Sequence, residues 1–221
     1  MTFITELENT FAANSNAENA LPMAKYMKDL FPFFGIKTDE RRALFKSVCK
    51  KHQVEINSNA RTIAWELFTK KERELQYCGI EIIIKNLKNN YVIEDIVWIE
   101  KLLITNSWWD SVDTISKYIL GDYLQQFPSE IDTVVKRFSD AENMWLNRSV
   151  ILFQLGYKSK TDFSLLQHLC LKHSHSNAFF IRKAIGWALR EYAKTDPEAV
   201  REFVLQSNLK PLSKKEALKN I

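Results

Sequence analysis

The sequence predicts an all-α protein, and three observations carry that expectation. Only five Gly and five Pro occur in 221 residues, too few for a turn-rich β fold. Leu, Ile, Lys, Glu and Ala dominate, and these are mostly competent helix formers. Apolar residues also recur at i, i+3 and i+4 spacing along nearly the whole chain.

The punctuation between periodic stretches sets the elements in order. Short polar breaks fall near 14–16, 35–39, 56–59, 88–91 and 106–107, then near 140–143, 159–162, 174–177 and 195–197. Between them lie about a dozen helices of roughly 10–17 residues. Ser107 followed by Asp110, and Ser213 followed by Glu216, have the form of capping boxes. Pro128-Ser129 opens a helix, and Asp196-Pro197-Glu198 sets a cap residue before proline at the first helical position. Two helices per 35–40 residues is the rhythm of HEAT-like helical pairs. The expected architecture is a curved α-solenoid of about six such pairs with a concave binding face; a compact, non-repetitive bundle is the alternative. No linker is long enough to divide the chain, so residues 1–221 are expected to form one domain.

Composition narrows the function classes. No basic stretch followed by an apolar run stands at the N-terminus, as a secretion signal would require. Apolar runs such as Ile82-Ile83-Ile84 are far short of a membrane span. Cys49, Cys78 and Cys170 are odd in number and widely spaced, the pattern of reduced thiols in a cytoplasmic protein. His168, His173 and His175 lie close together, but no Cys or carboxylate joins them at ligand spacing, so no metal and no cofactor are expected. The net charge of +4 is unevenly spread. Residues 31–75 hold ten basic and six acidic side chains, 91–145 hold four and ten, and 146–221 hold thirteen and six. Two basic regions flanking an acidic one suit a polyanion gripped from two sides, or simply a solvated helix surface.

Three helices carry side chains that periodicity alone does not assign to a core. In 108–120, Trp108, Val112, Ile115 and Ile119 form the apolar stripe. Trp109, Asp113 and Lys117 run at i, i+4, i+8 on a different face. The bland reading pairs Asp113 with Lys117 on a wet surface. In 177–194, Ile181, Ala184, Ile185, Ala188 and Tyr192 form the core face, while Lys183, Trp187 and Arg190 lie opposite. A large indole between two cations suits a phosphate-and-sugar surface, or cation–π stacking between helices. In 143–155, Arg148 projects among Met144, Ile151, Leu152 and Leu155. A guanidinium there needs an anionic partner, either an internal carboxylate or an external phosphate.

Taken together and in this order, these segments resemble the bacterial DNA alkylation-repair glycosylases built from HEAT-like repeats. The match is carried by Pro22 through Lys28, by Gly35-Ile36-Lys37-Thr38 with Arg41-Arg42, and by Ser107 through Asp113. It continues in Trp145-Leu146-Asn147-Arg148, Phe180 through Tyr192, and Pro211-Leu212-Ser213 with Glu216-Ala217. The resemblance implies that Asp113 is the catalytic carboxylate and that Trp109 and Trp187 cradle the backbone of the lesion-bearing nucleotide. It further implies DNA contacts by Arg148, Lys183, Arg190, Tyr26, Thr38 and Arg42. Asn147 departs from the Arg or Gln that often precedes the arginine. The sequence stops at Ile221, soon after the last motif, so a basic tail seen in relatives is not expected.

The implied activity is hydrolysis of the N-glycosidic bond of positively charged N3- or N7-alkylated purines in duplex DNA, without a tight base-flipping pocket. The partner is alkylated duplex DNA, and the chain is expected to be a monomer, cytoplasmic and nucleoid-associated, away from membranes. Two other readings stand beside it. One is a DNA-binding scaffold of the same fold without catalysis; the other is a protein–protein interaction solenoid, which an outward Lys183-Trp187-Arg190 stripe fits poorly.

Overall fold

The computed structural model describes residues 1–219. Fourteen α-helices, two 3-10 turns and one π segment account for their regular structure, with no strand among the described residues. The all-α expectation holds. The described residues fall into two compact units, Met1–Asn90 and the chain from Tyr91 onward.

The first unit contains α1 (Phe3–Ala13), α2 (Ala17–Tyr26), α3 (Thr38–Lys51), α4 (Gln53–Phe68) and α5 (Arg73–Asn86). Phe3, Leu7 and Phe11 repeat every four residues along α1 and are wholly buried, as helical periodicity demands. They share the core with Val48 of α3, Leu67 and Phe68 of α4, and Leu75, Cys78 and Ile83 of α5. The break expected at 56–59 lies inside α4, where Asn59 leaves helical geometry (φ −134°, ψ 27°) and kinks the helix without ending it. The actual junction is His52, which caps the end of α3 and the start of α4.

The segment 34–36 is held by one buried carboxylate. Glu74 accepts the backbone N–H groups of Phe34, Gly35 and Ile36 at 3.1, 2.9 and 3.2 Å. Gly35 has φ +87°, and a Cβ there would stand 1.9 Å from the Asn16 carbonyl oxygen. Only glycine fits that turn, which explains a motif residue without invoking function.

The second unit contains α6 (Asp95–Ile104), α7 (Trp109–Ile115), α8 (Gly121–Gln126), α9 (Ile131–Asp140) and α10 (Met144–Leu152). It continues with α11 (Phe163–Lys172), α12 (Phe179–Tyr192), α13 (Pro197–Gln206) and α14 (Pro211–Ala217). A π segment at Ser116–Leu120 joins α7 to α8, so helical backbone runs unbroken from 109 to 126. Such π turns are single-turn irregularities that often sit beside functional sites. Asp196 caps α13 by accepting the Ala199 N–H at 3.0 Å, with Pro197 behind it, as its sequence predicts.

Two expected capping boxes are corrected. At α7 the cap residue is Trp108, in extended backbone, and Ser111 exchanges bonds with its N–H and carbonyl. Ser107 instead donates to the Leu103 carbonyl at 2.7 Å, closing the end of α6. At α14 the helix opens on Pro211, and Ser213 donates to the Arg182 carbonyl of α12 at 3.0 Å. In both cases a hydroxyl found a carbonyl on a neighbouring turn or helix, a competition that S-x-x-D/E spacing does not reveal.

Candidate active site

The site is built on α7, α10 and α12. Val112, Ile115 and Ile119 are completely buried, as the 3.6-residue period requires. That burial turns Trp109 and Asp113, one helical turn apart, onto another face of α7. Trp108 departs from the expected core stripe. It stands before the helix, half-buried, with its ring edge-on to Phe180 (centroids 5.1 Å apart) and to Trp145 (5.8 Å). Trp145 and Phe180 are themselves 5.1 Å apart, so three rings from α10, α12 and the α7 cap form one aromatic cluster.

Arg148 of α10 reaches Asp113 across that cluster. Its Nε donates to Asp113 Oδ1 at 2.7 Å and its Nη2 to Oδ2 at 2.9 Å, a two-pronged pair. Nη1 donates to the Phe180 carbonyl in the first turn of α12. The side chains are 5% and 12% exposed. The partner that the sequence left open between carboxylate and phosphate is therefore the carboxylate, and Asp113 pairs with Arg148 rather than Lys117. Burial pushes the Asp113 carboxyl above its usual 3.8; the Arg148 bonds and charge oppose that rise, and the neighbouring Asp110 adds to it.

Asn147, the departure from the family pattern, has its own task. Its amide donates to the carbonyls of Phe138, Ser139 and Ala141 at 2.9, 3.3 and 2.9 Å, satisfying the end of α9 and fixing α10 against it. Arg148, the next residue, is held in register by that contact.

On α12, Phe180, Lys183, Trp187 and Arg190 share a face through i+3, i+7 and i+10 spacing. Trp187 is half-buried and packs against the apolar core that α10–α14 build. Lys183 and Arg190 both bind Glu216 of α14, at 2.9 and 2.8 Å. Glu216 reaches them because Gly186 lets the helices touch. A Cβ on Gly186 would lie 2.4 Å from the Glu216 Cβ and 2.8 Å from the Ser213 carbonyl oxygen. Its carboxyl is held below the usual 4.5, chiefly by the Lys183 hydrogen bond, then by that of Arg190, against a burial effect that raises it.

The remaining expected site residues lie in the first unit. Tyr26 ends α2 and is 68% exposed. Thr38 opens α3 and is exposed. Arg42 is largely exposed, with Nε 3.2 Å from Glu81, which also takes the buried Arg41 at 2.6 Å. The histidine cluster does not gather. His173 Nε2 meets the Ser139 hydroxyl at 2.8 Å, and no group of three or more potential ligands could hold a metal among the described residues.

Sequence reasoning missed two participants. Glu216 was assigned to a cap, and its i, i+3 relation to Ser213 gave no hint of a partner 26 residues away. Phe180 opened a segment of the family match, but nothing in its spacing marked its ring for the site.

A family model described as DNA alkylation repair enzyme matches residues 7–221. Among solved structures, a predicted DNA alkylation repair enzyme from Enterococcus faecalis is 34% identical, with a TM-score of 0.85; the match covers 94% of this chain and 96% of that one. The structure of smu.31 from Streptococcus mutans UA159 is 13% identical over 82% of this chain and 97% of that one, with a TM-score of 0.58, a likeness of fold. No curated protein matches the chain.

Proposed function

This chain belongs to the DNA alkylation repair enzyme family, and from that membership we propose that it is a monofunctional DNA glycosylase releasing N3- and N7-alkylated purines from duplex DNA. The observation that supports this reading best is Asp113: a nearly buried carboxylate, aimed by a two-pronged arginine and flanked on its own helix by Trp109. An alkylated purine already carries positive ring charge and leaves without a general acid, so one carboxylate suffices where O-glycoside hydrolysis usually needs two. As the C1′–N bond breaks, its electron pair neutralises the purine and the sugar becomes oxocarbenium-like. Water adds its oxygen to C1′ and sheds a proton.

Each Asp113 oxygen gives one lone pair to Arg148 and keeps another for that water and for the developing sugar charge. A fixed anion in an apolar surround contributes several kcal/mol to such a transition state. Trp109 and Trp187 add their ring faces to the cationic sugar. Arg148 acts mainly through Asp113, and the second N–H of each of its two terminal nitrogens is what is left for a phosphate. Lys183, Arg190, Tyr26, Thr38 and Arg42 make the backbone contacts, with residues 1–221 working as one domain. No cofactor enters the scheme.

Base release from methylated duplex DNA tests it, wild type beside Asp113→Asn. The variant is expected to lose roughly 10²–10³-fold in excision while still binding duplex. Near-wild-type excision by the variant would sink the assignment. A DNA-binding scaffold without catalysis is the second reading, favoured by the engagement of each Asp113 oxygen by Arg148; wild-type protein that binds duplex and releases no base would establish it.

A further inference from the structure

We propose that the open cavity lined by α3, α4 and α5 in the first unit is a binding site for a single nucleotide, separate from Asp113. The cavity is about 590 Å³, within the roughly 300–1,000 Å³ of small-molecule sites. Its shape follows from the helices. Arg42, Phe45, Lys46, Cys49 and Lys50 repeat at i, i+3, i+4, i+7 and i+8, so one whole face of α3 looks into it. Ile82 and Lys85 of α5 face it from the other side, and the first turn of α4 lines it with Gln53, Ile56 and Asn57.

Three kinds of group converge there. The floor is apolar and includes an aromatic ring: Phe45, Ile56 and Ile82 are 8%, 4% and 2% exposed. The rim is cationic. Glu81, the carboxylate on the rim, is already taken by Arg41 and Arg42. Lys46, Lys50 and Lys85 are exposed at that rim and have no ion-pair partner among the described residues. Finally, the amides of Gln53 and Asn57, one turn apart on α4, stand exposed at the rim and make no hydrogen bond to the described residues, so both are open to a ligand.

That combination selects among anions. Three free ammonium groups match a phosphate. A fatty carboxylate would satisfy the cations and the floor but gain nothing from the two amides, which water otherwise satisfies. A nucleobase presents a flat face to the floor and a hydrogen-bonding edge to Gln53 and Asn57. The shared chemistry is a nucleoside phosphate, either free or as one residue of a single strand.

Cys49 lines the same cavity and reports on its occupancy. It is half-buried, whereas Cys78 and Cys170 are wholly buried. The experiment follows modification of Cys49 in the full chain by N-ethylmaleimide, read by intact mass and peptide mapping. Competing solutes are deoxyadenosine monophosphate, deoxyadenosine, inorganic phosphate, octanoate and a tetradeoxyadenylate strand. The monophosphate is expected to slow modification at least fivefold at concentrations where deoxyadenosine, phosphate and octanoate leave it unchanged. Lys46→Glu with Lys50→Glu, both at exposed positions, is expected to remove that protection. Gln53→Ala with Asn57→Ala is expected to reduce it to the level of phosphate alone. Stronger protection by the strand than by the monophosphate assigns a strand as the source, and the reverse order assigns a free nucleotide; both uphold the site. No protection by either, or equal protection by octanoate or phosphate, overturns it. Excision is not read in this experiment, so its outcome is independent of the glycosylase reading.

Discussion

Two carboxylates of the second unit sit beside basic side chains and behave in opposite ways. Asp113 faces one guanidinium in an aromatic surround and is pushed above 3.8. Glu216 faces an ammonium and a guanidinium nearer to water and is held below 4.5. Their exposures, 12% and 16%, are similar, but their partners are not. Arg148 is 5% exposed, whereas Lys183 and Arg190 are 37% and 25%. Taking both members of a pair out of water costs each its hydration, and a single good contact only partly offsets that cost. Glu216 gains two cations that remain solvated. The first pair is poised at a cost in stability; the second fastens α14 to α12.

The sharpest way to break that comparison is Arg148→Ala, which leaves Asp113 buried and unpaired. Chemical denaturation should show a loss of about 3–5 kcal/mol, with Asp113 titrating higher than in the wild type. In a double-mutant cycle with Asp113→Asn, the pair should be coupled by about 1–3 kcal/mol; additive effects would mean that the contact is energetically idle. Under the proposed function, the same substitution moves the acid limb of base release to higher pH, because the anion is harder to form.

Gly186→Ala tests the fastening. The added methyl group collides with Glu216 and the Ser213 carbonyl, and overpacking of this kind costs about 1–3 kcal/mol. A melting temperature equal to that of the wild type would show that α14 yields freely.

Glu216→Gln should be milder, under about 1 kcal/mol, since Lys183 and Arg190 keep much of their contact with water. Its interest lies in binding. Two cations lose their counter-charge, so the log–log salt dependence of duplex affinity should steepen by about 1–2. An unchanged slope would remove Lys183 and Arg190 from the DNA-contacting set.

The two carboxylates also differ in linkage to pH. With its folded pKa raised, Asp113 binds its proton more tightly in the folded chain than in the unfolded one. Its contribution to stability therefore falls as pH rises from the usual 3.8 through the folded value. Glu216 has the reverse sign: its contribution is complete above 4.5 and is lost as pH falls through the lowered folded value. Acid titrations of stability for Asp113→Asn and Glu216→Gln should accordingly diverge from wild type in opposite directions.

Much of the site could be read from local periodicity. The burial of Val112, Ile115 and Ile119 separates Trp109 and Asp113 from the core of α7, and the burial of Ile181, Ala184, Ile185 and Ala188 does the same for Lys183 and Arg190, while Trp187 stays packed against that core. Arg148 was recognisable as a guanidinium in need of an anion. The caps were misread at Ser107 and Ser213 because a hydroxyl donates to any well-placed carbonyl, and spacing along one helix says nothing of the next. The kink at Asn59 looked like a break because polar residues interrupt a helix as readily as they end it.

By itself, the sequence determined the helices, the side chains each helix turns away from its own core, and the chemical kinds of residue on those faces. These are properties of neighbours three and four residues apart, set by the pitch of the backbone. Tertiary structure alone decided that Arg148 belongs to Asp113, 35 residues away, and that Glu216 stands between Lys183 and Arg190. It also decided that burial outweighs the attraction of a cation at one carboxylate and not at the other. Those outcomes depend on how closely two helices approach and how much water is left between them, quantities that hydrophobic spacing does not encode.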